Sequence, residues 1–133
     1  MDQPVLRLAE KYSWLELAPA DEENEWRVRA EYCETFTADF TTCLTVAEAA
    51  DFAERMLARL DGSPHRFSER VSEGRNNPFE LTALPLGSVG FVLMAFLTPN
   101  GDDTVCHLQL EFGPFRTEEL RAGLGDFRAA LAV

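Results

Sequence analysis

Histidine and cysteine are the side chains of this chain best suited to catalysis or metal binding, and it carries two histidines and three cysteines. A histidine acts as a general base only beside a placed partner. His65 lies in a polar stretch, whereas His107 and Glu111 are four residues apart in a strand pattern and so share one face. That pair is the basis of one functional hypothesis, a small hydrolase or ligand-binding domain.

The cysteines Cys33, Cys43 and Cys106 do not follow the spacing of a metal site. Zinc-binding cysteines usually come in close pairs, and no CxxC pair is present. Cys106 and His107 are adjacent in a strand pattern, so their side chains point to opposite faces. We therefore expect no metal and no cofactor. An odd number of cysteines without such a pair is typical of reduced thiols, which predicts a cytoplasmic protein.

Enzyme signatures are absent from the sequence. It contains no glycine-rich phosphate loop, no GxSxG nucleophile elbow and no HExxH helix. Pairs of carboxylates are frequent, but in a chain with 23 acidic residues against 12 basic ones they carry little information. We therefore expect a non-catalytic protein.

The net charge of −11 bears on the class of partner. Such a surplus of acids disfavours binding to nucleic acid or to an anionic membrane, because both carry negative charge. No segment approaches the roughly 20 consecutive apolar residues of a membrane span. The charge suits a basic protein partner, and solubility alone is the simpler explanation of it.

Hydropathy patterns predict a single α+β domain over residues 1–133. Its sheet is expected to be largely antiparallel, with about six to eight strands and two amphipathic helices at about 45–60 and 117–131. Thr45 and Glu48 predict a capping box at the first helix, and Thr117 is the predicted cap of the second. Gly113 and Pro114 are expected to end the last strand before that helix.

Two alternating runs around residues 33–35 predict a hairpin. The alternation places Tyr32 opposite Phe36 and Val28 opposite Phe40, which keeps every aromatic side chain on one face. Three acidic residues lie about this hairpin, Glu31, Glu34 and Asp39, and we interpret them as a candidate contact surface for a basic protein. The acids of Asp21–Glu25 and of Asp102 and Asp103 are better explained as solvated turns.

The stretch Ser88–Thr98 is predicted to be the middle strand of the sheet. Its odd positions are apolar, and so are Val92, Met94 and Phe96 at its even positions. Because successive side chains of a strand point to opposite faces, both faces need cover. We therefore predict an uncovered patch at Val92, Met94 and Phe96, which a protein partner or a second copy of the chain would bury.

With this order of elements, the chain resembles a known group of bacterial proteins. The run from Trp26 through FTADFTTCLTVAEAADFAERML, followed by LTPNGDDTVCHLQLEFGPFRTEELRAGLGDFRAAL, is similar to WapI-type immunity proteins and related small actinobacterial domains. The resemblance covers residues 13–133 and is one of pattern and length. It implies a non-catalytic cytoplasmic protein that binds and neutralises a cognate secreted toxin. It implies no catalytic residues and no particular contact residues.

Two hypotheses therefore stand ahead of the hydrolase. The first is an immunity-like protein that neutralises a basic toxin domain. The alternative is a self-associating or adaptor domain in which Ser88–Thr98 builds a homodimer. Binding between opposite charges weakens as ionic strength rises, whereas an apolar dimer persists, so salt dependence separates the two.

Overall fold

A computed structural model of the chain describes residues 3–62, 64–99, 101 and 106–131. Within these residues the order of elements is four strands and a helix, twice over: β1 (Leu6–Ala9), β2 (Ser13–Pro19), β3 (Glu25–Tyr32), β4 (Phe36–Cys43), α1 (Val46–Leu60), β5 (Phe67–Arg70), β6 (Phe79–Leu86), β7 (Gly90–Leu97), β8 (Leu108–Arg116) and α2 (Thr117–Ala130). The α+β prediction is confirmed. The strands form two four-stranded antiparallel sheets, sheet 1 (β1–β4) and sheet 2 (β5–β8), rather than one.

Sheet 1 follows the alternation of its sequence. Leucine, valine and alanine side chains of its four strands are buried on one face, while the charged side chains between them lie on the other. The predicted hairpin register is confirmed: Tyr32 pairs with Phe36 and Val28 with Phe40. The turn lacks glycine, and Cys33 and Glu34 both adopt left-handed backbone conformations, with φ of 48° and 59°. A hydrogen bond of 2.7 Å from the Thr35 amide to the Tyr32 carbonyl closes it.

In sheet 2, β7 lies between β6 and β8, as predicted for an interior strand. The prediction that Gly113 and Pro114 end the last strand is wrong, because β8 continues through them to Arg116. The register shifts between Phe91 and Leu93 of β7, where β8 contains one more residue than β7, as in a β-bulge. Phe112 and Phe115 are both buried as a result, with ring centroids 5.5 Å apart.

The two helices begin in different ways. The predicted capping box of α1 is confirmed: Thr45 Oγ1 accepts from the Glu48 amide at 3.0 Å, and the Glu48 carboxylate accepts from the Thr45 amide at 2.9 Å. In α2 the cap position is Arg116 rather than Thr117, and the Arg116 amide donates to the Glu119 carboxylate at 3.1 Å. Among the described residues, no helix is both long enough and apolar enough to cross a lipid bilayer.

Each helix covers the inner face of one sheet. Phe52 of α1 packs edge-to-face on Phe79 of sheet 2 at 5.9 Å, and Phe127 of α2 packs in the same way on Trp26 of sheet 1 at 6.2 Å. The two helices also contact each other, so both sheets share one core. Burial of aromatic side chains of this size dominates the stability of such a core.

Gly90 and Gly123 differ in the space that is available for a side chain. A Cβ at Gly90 would lie 1.9 Å from the Phe115 carbonyl oxygen, whereas a Cβ at Gly123 in α2 would meet nothing within 4 Å. We expect Gly90→Ala to lower the free energy of unfolding by about 1–3 kcal/mol through overpacking. Gly123→Ala should raise it by about 0.5–1 kcal/mol, because alanine is the better helix former.

Urea denaturation of both variants beside the native chain measures the two changes. A Gly90→Ala variant as stable as the native chain would contradict the close approach of β8 to β7. A destabilised Gly123→Ala variant would contradict the open side of α2.

Candidate protein-binding surfaces

The histidines are placed apart from each other. His107 is exposed just before β8 and stacks on Phe96, with ring centroids 4.7 Å apart and ring planes at 16°. Glu111 is exposed on β8. The ring of His65 lies 5.8 Å from that of Phe67. No group of three or more His, Cys, Asp or Glu side chains within the described ranges could hold a metal ion.

All three cysteines are free and exposed. Cys33 lies in the turn of the β3–β4 hairpin, where its Sγ is 3.6 Å from the Ser13 hydroxyl. Cys43 ends β4. The prediction that Cys106 and His107 lie in a strand is wrong, because both precede β8, which begins at Leu108. The cysteines therefore form no common site.

The three acids predicted as a contact surface are close to the hairpin, but two of them already have partners. Glu31 accepts a hydrogen bond of 3.2 Å from Trp14 Nε1. Asp39 accepts two from Arg27, at 2.8 and 2.5 Å, which hold the pKa of its carboxyl below the ordinary value. Glu34 is exposed in the turn. Sequence reasoning missed Arg27 because the predicted register places Arg29 opposite Asp39, and only the side-chain conformations select the diagonal neighbour Arg27.

A second cluster completes the outer face of sheet 1. The Glu16 carboxylate accepts from Arg7 at 3.1 Å and from Arg29 at 2.6 Å, and both guanidinium groups lie over the Trp14 ring, at 4.4 and 6.0 Å. Burial raises the pKa of Glu16, but the hydrogen bonds from Arg29 and Arg7 outweigh that effect and lower it. Exposed ion pairs of this kind contribute about 0–1 kcal/mol each. Their main consequence is that this face carries compensated charge.

Sheet 2 presents a different outer face. Val92, Met94 and Phe96, which we call the β7 row, are all half-buried, while the alternate residues of the strand are buried in the core. The cross-strand neighbours of the row on β6 are Leu84, Thr82 and Glu80. Both described helices pack on the inner faces of the sheets, so the row lies under neither of them.

A cavity of about 380 Å³ opens at the Phe96 end of the β7 row. Its lining residues are Arg70, Asn77, Glu80, Phe96, Thr98 and Gly101. The Asn77 side chain accepts from the Ser72 amide at 3.0 Å, and the Thr98 hydroxyl donates to the Asn77 carbonyl at 2.6 Å. These bonds fix the wall of the cavity. Arg70 and Glu80, paired across β5 and β6, place one charge of each sign in it.

The chain was compared with protein families and with curated proteins. No family model matches it. No curated protein matches its sequence. The resemblance to WapI-type immunity proteins therefore stays a prediction.

The pairing of Arg27 with Asp39 predicts a specific titration. Replacing Arg27 by glutamine removes the charge that favours the ionised carboxylate, so the pKa of Asp39 should rise towards its ordinary value. Carbon-13 NMR titration of the aspartate carboxyl groups measures this change.

Arg7→Gln is the matched control, because Arg7 pairs with Glu16 rather than with Asp39. It should raise the pKa of Glu16 and leave that of Asp39 where it is. Equal titration curves of Asp39 in the native chain and in Arg27→Gln would contradict the pair.

Proposed function

We propose that the protein is a non-catalytic binding protein that neutralises a cognate bacterial toxin, as immunity proteins do, and that the β7 row is its main contact. The observation that carries this proposal is the row itself. Val92, Met94 and Phe96 are adjacent on one sheet face and half-buried, in a chain whose other large apolar side chains mostly lie in one core.

The chemistry of the row suits a protein partner. Aromatic side chains and methionine are enriched in protein interfaces relative to the rest of the surface. Methionine also adapts its shape to a partner, because its side chain is unbranched and polarizable. Glu80 and Gln109 flank Phe96, and Glu111 flanks Met94, so polar groups surround the apolar centre. An apolar centre with a polar rim is the usual anatomy of an interface.

Charge supports a basic toxin domain as the partner. The net charge of −11 attracts a cationic surface and speeds the encounter. On the outer face of sheet 1, by contrast, Arg7 and Arg29 pair with Glu16, and Arg27 pairs with Asp39. The flanking acids of the β7 row, Glu80 and Glu111, lie on the face that the partner would cover.

A second copy of the chain is the alternative occupant of the β7 row. A two-fold dimer would bury the same apolar side chains against themselves. It would also bring together two chains that each carry a charge of −11, which opposes association at low ionic strength. We expect the purified protein to be a monomer. Light scattering tests this, because a second copy on the β7 row would make it a dimer.

Substitution of Met94 tests the proposal. Met94→Glu places a charge at the centre of the row and should weaken binding to the cognate toxin, sought among the products of the neighbouring genes, by about 30-fold, the equivalent of a hot spot of ~2 kcal/mol. Growth rescue of cells that express this toxin, together with calorimetric titration, measures the effect.

Val89→Glu is the matched control. It makes the same apolar-to-acid change at a side chain that is 58% exposed in the turn before β7. Circular dichroism verifies that both variants are folded. Unchanged rescue by Met94→Glu, or equal losses in the two variants, would overturn the proposed contact. The absence of any rescue by the native chain would overturn the proposed function.

A further inference from the structure

Strand β4 forms one edge of sheet 1 and has backbone groups that point away from the sheet. The Leu44 amide donates to the Asn24 carbonyl at 2.9 Å, one residue beyond the last β3–β4 pair. Since hydrogen-bonded pairs alternate along an antiparallel ladder, the even-numbered residues of β4 bond to β3. The amides and carbonyls of Thr37, Asp39 and Thr41 therefore point outward, and all three residues are exposed.

The other sheet edges are shorter or protected, whereas among the described residues no strand or helix covers the edge of β4, and only the Asn76 loop contacts it, at Thr42. Strands β1 and β5 have four residues each, and they contact α2 and α1 respectively. Strand β8 carries a bulge and Pro114. Strand β4 has eight residues in continuous register, without proline or lysine. An unprotected edge of this length is a template for another strand.

The two faces of this edge differ in chemistry. On the inner face Phe36 and Phe40 are half-buried, and Phe36 stacks on Tyr32 at 5.6 Å. On the outer face Asp39 and Thr41 border a cavity of about 460 Å³. That cavity is lined by three acids and one arginine, Asp21, Glu25, Asp39 and Arg27, so its charge is negative.

We propose that β4 receives an extended segment of a basic partner as an additional antiparallel strand. The segment alternates apolar side chains, which contact Phe36 and Phe40, with arginine or lysine side chains, one of which enters the cavity lined by Asp21 and Glu25. Main-chain hydrogen bonds to Thr37, Asp39 and Thr41 supply affinity, and the alternation supplies specificity.

This inference rests on the proposed function, because it names the kind of segment that the toxin presents. The β4 edge adjoins the cavity beside the β7 row. The Thr42 hydroxyl donates to the Asn76 carbonyl at 2.7 Å, and Gly101 lines both that cavity and a smaller one lined by Thr41, Thr42 and Cys43. The two cavities therefore meet at Gly101.

A synthetic peptide tests the edge directly in the full chain. The probe is a capped octapeptide of alternating arginine and valine, and its control alternates glutamate and valine. We expect saturable binding of the arginine peptide below about 1 mM. Amide exchange measured by NMR should slow at Thr37, Asp39 and Thr41, and the glutamate peptide should cause no such change.

Thr41→Pro removes one outward amide and leaves the bonds to β3 intact, so it should weaken peptide binding at least tenfold. Thr41→Val keeps the amide and is the matched control. The double variant Asp21→Asn, Glu25→Gln leaves the strand untouched and should weaken the arginine peptide at least threefold. If Thr41→Pro does not fold, this double variant still tests the inference.

Three outcomes would overturn the inference. The first is no saturable binding of the arginine peptide up to about 1 mM. The second is protection confined to the β7 row. The third is protection of β4 that grows with protein concentration in the absence of peptide, which would identify a second copy as the occupant. In the rescue assay, loss of rescue by Met94→Glu with intact rescue by a folded Thr41→Pro variant would overturn this inference and leave the proposed function in place.

Discussion

The two helices pack on the inner faces of the two sheets, and the chemistry of the outer faces depends on this arrangement. Phe52 of α1 and Phe127 of α2 seal the inner faces of sheets 2 and 1, and the helices contact each other between them. Most of the buried apolar residues are thereby collected in one core. Both outer faces are left to meet water, or a partner, by other means.

The outer faces of the two sheets differ in chemistry. Sheet 1 places arginines opposite acids across its strands and stacks two guanidinium groups over Trp14, so its outer face is polar and internally paired. The outer face of sheet 2 instead carries the apolar side chains of Val92, Met94 and Phe96. The exposed part of a half-buried apolar row costs solvation free energy that an interface recovers. This contrast is the reason for placing the main contact of the proposed partner on sheet 2.

Local patterns were sufficient for most elements. The alternation of the hairpin set its register, the capping box of Thr45 and Glu48 set the start of α1, and the two apolar rows of β7 predicted its interior position. The row predicted to be uncovered, Val92, Met94 and Phe96, is half-buried. Each of these depends on residues close together in the chain, where sequence spacing determines which side chains meet. The prediction that Gly113 and Pro114 end the last strand was wrong, because a bulge allows β8 to continue through residues that usually end a strand.

The sequence by itself determined the α+β class, the periodicity of each element and the surplus of negative charge. The tertiary structure decided that the strands divide into two sheets, that Arg27 engages Asp39, and that β4 is an edge strand next to an acidic cavity. The physical reason is range. Periodicity acts over a few residues, whereas sheet order and cavities arise only when segments distant in the chain are packed together, and the partner of a charged side chain depends on its three-dimensional conformation.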